Sequence, residues 1–185
     1  MARTPSNMLP LGTKAPHFEL LDTVSGNNLN LKDLKGDKGT VIMFICNHCP
    51  FVIHVNSELV SITNTYISKG ISFIAISSND ALNYPQDSPE KMKNHAKNEG
   101  YPFPYLYDET QSVAKAYDAA CTPDFYVFDE LLELAYRGQL DDSRPGNGVP
   151  LTGSDLKYAL DCLIKGTANN QVQKPSIGCN IKWKN

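Results

Sequence analysis

The sequence has no long hydrophobic run and no recognisable leader. Its longest uninterrupted apolar stretch, Val41 to Cys46, has the length of a β-strand and is far short of the roughly 20 residues that cross a bilayer. The first eight residues contain a single arginine with no apolar region behind it, so they lack the pattern of a secretory signal. These absences predict a cytoplasmic protein with no membrane partner.

An excess of basic residues is also missing. The chain has 17 lysines and arginines against 20 aspartates and glutamates, a formal net charge of −3, and no basic cluster. Because nothing would neutralise a phosphate backbone, nucleic acid is excluded as a partner.

Sequence repeats are absent as well. With 185 residues, 41% of them hydrophobic, the chain is predicted to form one globular core with appendages.

Cysteine is scarce and odd in number. Five cysteines in a chain of this size do not suit a secreted disulfide scaffold, which leaves reactive or metal-binding thiols. Two of them form a C-x-x-C pair, Cys46 and Cys49. Such a pair is a redox centre, half of a zinc site that needs two more ligands, or two inert buried thiols.

Apolar periodicity predicts strands alternating with helices. Residues 40–45 and 71–77 are predicted to be buried strands, with a helix between them that ends near Gly70. A second apolar row at Ile53, Val60 and Ile67 predicts burial of that helix on more than one side. Later in the chain, two strand patterns follow each other without a helix between them and predict an antiparallel hairpin. The predicted architecture is α/β with a mixed central sheet flanked by helices.

Both ends of the chain are predicted to carry additions to this core. Residues 18–22 and 28–34 flank a turn rich in Gly and Asn and predict an N-terminal β-hairpin. The last helix is predicted to start from a cap at Thr152 and to end at Gly166. The predicted divisions are an arm at residues 1–10, a domain at 11–166 and a docked tail at 167–185.

The C-x-x-C pair lies where a predicted strand meets a predicted helix. A helix N-terminus offers free N–H groups and partial positive charge, which stabilise a thiolate. If Cys46 capped the helix, Pro50 would occupy the fourth position and remove a backbone hydrogen bond. If Cys49 is the cap, Pro50 falls at the first position, where no N–H is needed. Cys49 is therefore predicted to be the nucleophile, and Cys46 the thiol that resolves its mixed disulfides.

His48 lies between these two positions in the motif. If protonated, it would favour the thiolate of either neighbouring sulfur, and a solvated loop histidine is the equal alternative.

Several motifs occur in an order typical of one protein group. They are Gly12-x-x-Ala15-Pro16-x-Phe18-x-Leu20, Leu31-x-x-Leu34-x-Gly36, the segment 44–50 around the cysteine pair, and Thr122-Pro123 before a strand. With them the chain resembles the thioredoxin superfamily, and more closely its peroxiredoxin-like (AhpC/TSA-related, redoxin) group. The resemblance covers roughly residues 11–166. It implies a thioredoxin-like fold and a cis Thr122–Pro123 bond that faces the active thiols.

The sequence departs from peroxiredoxins where those proteins activate peroxide. Typical members have a proline and a threonine seven and three residues before the reactive cysteine, and a later arginine. Counting back from Cys49 gives Ile42 and Cys46, and Cys121 with Thr122 stands where the arginine is expected.

The tail resembles the ending of the same group and contains Cys179. This tail is predicted to dock on the core, and Cys179 would then be a packing residue. The alternative is that Cys179 is a further redox thiol. Cys121 has the same two alternatives.

These observations predict a thiol-disulfide oxidoreductase of cellular thiol redox homeostasis, needing neither cofactor nor metal. Its partners would be a disulfide or oxidised-thiol substrate and a thioredoxin- or glutathione-like reductant. One alternative is a thiol-dependent peroxidase. The other is a non-catalytic thioredoxin-fold module that binds a protein, or a metal through Cys46, Cys49 and His48.

Overall fold

Ten strands and five α-helices occur within residues 3–184, which the computed structural model describes. The strands are β1 (Arg3–Pro5), β2 (Glu19–Asp22), β3 (Asn28–Asn30), β4 (Gly39–Phe44), β5 (Ile71–Ser77), β6 (Tyr105–Tyr107), β7 (Cys121–Thr122), β8 (Asp124–Asp129), β9 (Leu134–Gly138) and β10 (Ile177–Asn180). The helices are α1 (Leu31–Leu34), α2 (Pro50–Ile67), α3 (Pro89–Glu99), α4 (Ser112–Ala116) and α5 (Ser154–Lys165), with a 3₁₀ turn at Pro85–Asp87. In this part of the chain no helix is both long enough and apolar enough to cross a membrane.

Seven strands form a mixed sheet in the order β3-β2-β6-β5-β4-β8-β9. The neighbours β4, β5 and β6 are parallel, whereas the other pairs are antiparallel, including the closing β8-β9 hairpin. Every residue of β4 is buried, as expected for an apolar, partly β-branched strand covered on both faces. The predicted α/β architecture with a mixed sheet is confirmed.

Two apolar layers cover the sheet. Val41 and Met43 of β4 join the layer formed with α2, α3 and α5, whereas the alternate residues Ile42 and Phe44 join the layer formed with α1 and α4. Helix α2 buries one stripe, consisting of Val52, Val55, Leu59, Ile62 and Tyr66.

The predicted second buried side of α2 is wrong. Ile53 is 55% exposed and Ile67 is 46% exposed, and Val60 is only partly buried. The sheet offers the helix a single surface, so an apolar row on the flank of α2 stays at the edge of the core.

Two predicted element boundaries are also corrected. The hairpin strand predicted to reach residue 34 ends at Asn30, whose side chain accepts the Asp33 N–H and caps the helical turn α1. Helix α5 is capped by Gly153, not by Thr152. The Asp141 carboxylate accepts the N–H groups of Thr152 and Gly153, each at 2.6 Å, and the Leu140 carbonyl accepts those of Asp155 and Leu156 in the first turn, at 3.1 and 3.2 Å, in place of a side-chain cap.

A second, three-stranded sheet attaches both ends of the chain to the β7 region. Strand β10 lies between β1 and β7 and is antiparallel to both. Cys179 is opposite Thr122 in the register, and a Cβ on Gly178 would overlap the Thr122 carbonyl oxygen. The Ser176 hydroxyl donates to the Pro123 carbonyl at 2.6 Å. The tail therefore docks directly on the Thr122-Pro123 loop.

Candidate active site

Cys49 occupies the N-cap of α2, with Pro50 at the first helical position, as the proline argument predicts. The Cys49 carbonyl accepts the N–H of Val52 at 2.9 Å and that of Ile53 at 3.0 Å, which closes the first turn. Strand β4 ends at Phe44, and Ile45 still donates its N–H to the Ile76 carbonyl. Cys46 and Cys49 are thereby held at the carboxyl end of the central parallel strands, where α/β sheets place their sites.

The loop around Thr122 faces both sulfurs. The Thr122 hydroxyl lies 3.5 Å from the Cys46 Sγ, and the Thr122 carbonyl oxygen lies 3.1 Å from the Cys49 Sγ. The Thr122–Pro123 bond is cis, as the resemblance implies. The sequence places these residues far apart, and the fold brings all of them to one point.

Three cysteine sulfurs meet at this point. Cys46 and Cys179 each form a side-chain hydrogen bond with Cys49. All three side chains are buried, with 0% of Cys49 and 2% of each of the others exposed. The five cysteines of the chain are present as thiols rather than as disulfides.

The proton distribution in the pair is asymmetric. The pKa of Cys49 is well below its ordinary value because the Cys46 S–H donates a hydrogen bond to its sulfur. Burial opposes this shift, whereas further hydrogen bonds from Cys179 and Thr122 add to it. The same hydrogen bond raises the pKa of Cys46, as do burial and the Asp87 carboxylate. These opposite shifts favour the thiolate on Cys49 and the protonated thiol on Cys46.

His48 is held by a buried carboxylate that no sequence motif indicates. The His48 Nδ1 lies 2.7 Å from the Asp87 Oδ2, and the imidazole stacks on the Tyr84 ring at a centroid distance of 6.0 Å. Asp87 is fully buried and also accepts the Asn47 N–H at 2.9 Å and the Asn79 amide at 2.8 Å. Asp87 thus anchors the C-x-x-C loop. It lies 38 residues beyond Cys49 in the short 3₁₀ turn Pro85–Asp87, so no periodic pattern marks it.

The metal-ligating atoms nearest one another at the site belong to Cys46, His48 and Asp87, all within 4.8 Å. Thiolate, imidazole and carboxylate are ligand types that zinc accepts. Cys49 lies outside this group, in contrast to the predicted metal-binding set of Cys46, Cys49 and His48. Both Asp87 oxygens already accept hydrogen bonds, so the group is built as an anchor for the loop.

Residues 11–137 match the model of the AhpC/TSA family. The chain belongs to the AhpC/TSA family. An uncharacterised conserved protein from Geobacillus kaustophilus is 63% identical, with 100% of this chain and 97% of that chain covered and a TM-score of 0.98. A hypothetical protein from Sinorhizobium meliloti 1021 is 46% identical, with 98% of each chain covered and a TM-score of 0.95. None of the curated proteins matches the chain.

The thioredoxin-like fold is shown by more distant structures. The thioredoxin domain of a thiol-disulfide oxidoreductase from Bacteroides vulgatus superposes with a TM-score of 0.63 at 19% identity, covering 82% of this chain and 99% of that one. The predicted thioredoxin-like fold is confirmed, and the resemblance to the AhpC/TSA group is confirmed by the family match.

Within this AhpC/TSA fold, the remaining cysteines have different surroundings. Cys121 is fully buried, with its S–H directed to the Pro123 carbonyl at 3.7 Å, and burial raises its pKa. Cys162 lies on α5, in a different part of the molecule from the thiol cluster. Cys179, in contrast, belongs to the cluster itself.

The structure also contains a buried ion pair that the sequence does not indicate. Asp124, next to Pro123, accepts from the Arg137 guanidinium at 3.1 Å and from the Tyr126 hydroxyl at 3.2 Å. Both charged side chains are fully buried. Arg137 also donates to the Asp118 carbonyl at 2.8 Å, so the pair fixes the strand that follows the cis bond.

Proposed function

We propose that this AhpC/TSA protein is a thiol-disulfide oxidoreductase. The observation that carries the proposal is the cap position of Cys49, where the sulfur accepts hydrogen bonds from neighbouring thiols and has a lowered pKa. A thiolate is the reactive form in disulfide exchange, and a helix N-terminus favours it.

The proposed reaction takes two exchange steps. The Cys49 thiolate attacks one sulfur of a substrate disulfide, forms a mixed disulfide and releases the other substrate sulfur as a thiolate. Cys46 then loses its proton and attacks the Cys49 sulfur, which forms the Cys46–Cys49 disulfide and releases the second substrate thiolate. The substrate gains two electrons and two protons. A dithiol or glutathione-like reductant returns the pair to its starting state.

His48 is proposed to receive the proton of Cys46 in the second step. A nitrogen of its ring and the Cys46 sulfur belong to the same group of atoms within 4.8 Å, and Asp87 at 2.7 Å orients the ring. Thr122 and Pro123 are proposed to form the wall against which the substrate sulfur lies. A cytoplasmic location and a role in thiol redox homeostasis complete the proposal.

A redox titration with acid trapping and peptide mass spectrometry tests this function. We expect a Cys46–Cys49 disulfide with a potential between about −270 and −120 mV, the range of known exchange proteins. Cys49→Ser should abolish disulfide reductase activity, and Cys46→Ser should resolve the mixed disulfide on Cys49 more slowly than the unaltered protein does. Cys162→Ser is the matched control and should behave as the unaltered protein. Retained activity in Cys49→Ser would remove Cys49 as the nucleophile.

Family membership supports a thiol peroxidase as the second candidate. In that reaction the Cys49 thiolate attacks a peroxide oxygen, forms a sulfenic acid and releases water or an alcohol; a second thiol then condenses with it and releases water. Ile42 and Cys46 occupy the positions where peroxiredoxins have their activating proline and threonine. Because these two residues are missing, the peroxidase is the second hypothesis. A peroxide reaction no faster than that of a free thiol would eliminate it.

Metal analysis of protein purified without added metal separates both enzymes from a binding module. Stoichiometric zinc that is lost in His48→Ala would favour the module. Protein without zinc and with exchange activity would favour the enzyme.

A further inference from the structure

Strand β10 closes the thiol site in the structure. No part of the Cys49 side chain and only 2% of Cys46 is exposed. Cys179 lies opposite Thr122, whose carbonyl oxygen lies 3.1 Å from the Cys49 Sγ, and belongs to the same buried cluster as both thiols. A substrate disulfide therefore reaches Cys49 only when an element packed over it moves, and β10 is such an element.

The closing strand is built to approach this loop closely. A side chain at position 178 would overlap the Thr122 carbonyl oxygen, and glycine is the residue that avoids this overlap. The ladder between the two strands pairs Cys179 with Thr122 and Asn180 with Cys121, and one further backbone hydrogen bond, from the Ile181 N–H to the Ala120 carbonyl at 3.1 Å, continues it. Such a short ladder can be displaced at modest cost, because only a few hydrogen bonds are exchanged for those to another strand or to water.

Cys49 has two thiol neighbours rather than one. Cys46 and Cys179 both form hydrogen bonds with the Cys49 sulfur, and the Cys179 backbone N–H donates to it as well. Disulfide exchange requires only that a third sulfur approach one sulfur of an existing disulfide. The cluster therefore contains the three sulfurs of an exchange reaction within one chain.

Resting on the proposed function, we propose that Cys179 is a third exchange thiol of this site and that a Cys49–Cys179 disulfide locks strand β10 over it. In the locked form no substrate reaches Cys49 until a reductant opens the bond. Oxidation of the Cys46–Cys49 pair would thus lead to a form in which β10 stays covalently attached over the site.

The locking step balances without an external oxidant. It starts from the Cys46–Cys49 disulfide that substrate reduction leaves behind. The Cys179 thiol gives up its proton and attacks the Cys49 sulfur; the Cys49–Cys179 bond forms, the Cys46–Cys49 bond breaks, and Cys46 leaves as a thiolate that takes up a proton. The number of disulfides is unchanged.

The charge distribution changes in favour of this step once the centre is oxidised. Burial raises the pKa of Cys179 to about 12, and the hydrogen bond to Cys49 and the charge of Cys49 add to the shift. When Cys49 is part of a disulfide it carries no charge, so its contribution disappears and the Cys179 thiolate becomes easier to form.

The test is oxidation of the full chain in a glutathione redox buffer, followed by acid trapping, alkylation and peptide mass spectrometry. We expect Cys46→Ser to form the Cys49–Cys179 disulfide and Cys179→Ser to form only Cys46–Cys49. The unaltered protein and the Cys162→Ser control should contain both. If Cys46→Ser carries only glutathione on Cys49 while Cys179→Ser still forms Cys46–Cys49, the lock is overturned and the oxidoreductase stands. If Cys179→Ser forms no Cys46–Cys49 disulfide, the proposed function itself fails.

Hydrogen exchange gives a readout of the lock in folded protein. The amides of Ile177–Asn180 should exchange at least about tenfold more slowly in the oxidised unaltered protein than in the reduced one, because a covalent bond restricts local opening. Cys179→Ala, which preserves a small apolar side chain, should show no such difference. Equal exchange rates in the oxidised and reduced unaltered protein would contradict the proposal.

Discussion

The position of a single proton defines the chemistry of the thiol pair. Cys49 and Cys46 are both buried, and burial alone would raise the pKa of each thiol. The hydrogen bond between them breaks this symmetry: it lowers the pKa of Cys49 and raises that of Cys46. One sulfur is thereby a thiolate while its neighbour keeps the proton.

The ultraviolet absorbance of thiolates should show this asymmetry. As the pH rises, the reduced protein should gain thiolate absorbance near 240 nm at a pH well below the ordinary cysteine value of 9.0, because the anion of Cys49 is stabilised. Acidification should remove this absorbance. Cys49→Ser should lack the low-pH step, whereas Cys162→Ser should keep it. A first step near pH 9 in the reduced protein would contradict the assignment.

The buried carboxylate of Asp124 provides a second prediction at the scale of single residues. Burial raises the pKa of Asp124 to about 7, although the Arg137 guanidinium beside it lowers the value. The folded-state pKa exceeds the unfolded value, so the protonated form contributes stability that is lost as the pH rises toward and through 7.

Arg137→Met should therefore destabilise the fold most at high pH. Removing one partner of a buried pair costs about 3–5 kcal/mol, because the other charge is left without compensation. The loss in free energy of unfolding should be larger at pH 8 than at pH 5, where Asp124 is neutral. Denaturant unfolding at the two pH values measures it. Adding Asp124→Asn should recover part of the loss at pH 8, and a loss that is independent of pH would contradict the argument.

Some element ends are set by local residues and others by groups from elsewhere in the chain. Helix α2 begins where local rules predict, because Pro50 specifies its own position. Helix α5 begins where Leu140 and Asp141 supply acceptors to its first turn and to the turn that leads into it, and its own Thr152 is not the cap. Strand β10 exists only through its partners β1 and β7.

Asp141→Asn should weaken α5 at its N-terminus. The carboxylate accepts the N–H groups of Thr152 and Gly153 at 2.6 Å, and hydrogen bonds to charged groups contribute about 1.5–3 kcal/mol. We expect a loss of about 1–3 kcal/mol in the free energy of unfolding, measured by denaturant titration. Asp142→Asn is the neighbouring control: its exposed ion pair with Lys174 should contribute at most about 1 kcal/mol. Equal effects of the two changes would contradict this role of Asp141.

Gly178→Ala should loosen the contact between β10 and β7. The added Cβ would overlap the Thr122 carbonyl, so the strand must shift and Cys49 becomes accessible. Iodoacetamide should alkylate Cys49 in the reduced variant several-fold faster than in the unaltered protein. Asn180→Ala, at an exposed position of the same strand, should leave the rate unchanged. An unchanged rate in folded Gly178→Ala would show that β10 does not control access.

At the scale of the whole molecule, the sequence by itself predicts the architecture and the part of the site that lies in the C-x-x-C segment. Continuous apolar runs, turn residues and the order of strands and helices depend on local composition, and they gave the mixed α/β sheet. Cys46, Cys49 and Pro50 lie within five consecutive residues, so local geometry alone predicts Cys49 as the cap. The motifs that surround them led to the family.

The tertiary structure decided what surrounds the two thiols. Asp87 reaches His48, Thr122 faces both sulfurs, and Cys179 lies opposite Thr122 on a strand from the far end of the chain. Local patterns carry no information on these contacts, because each depends on loops whose meeting point is set by the packing of the whole sheet. The same reason explains the exposed flank of α2 and the acceptors that Leu140 and Asp141 supply at the start of α5, because the fold decides which groups come near a helix.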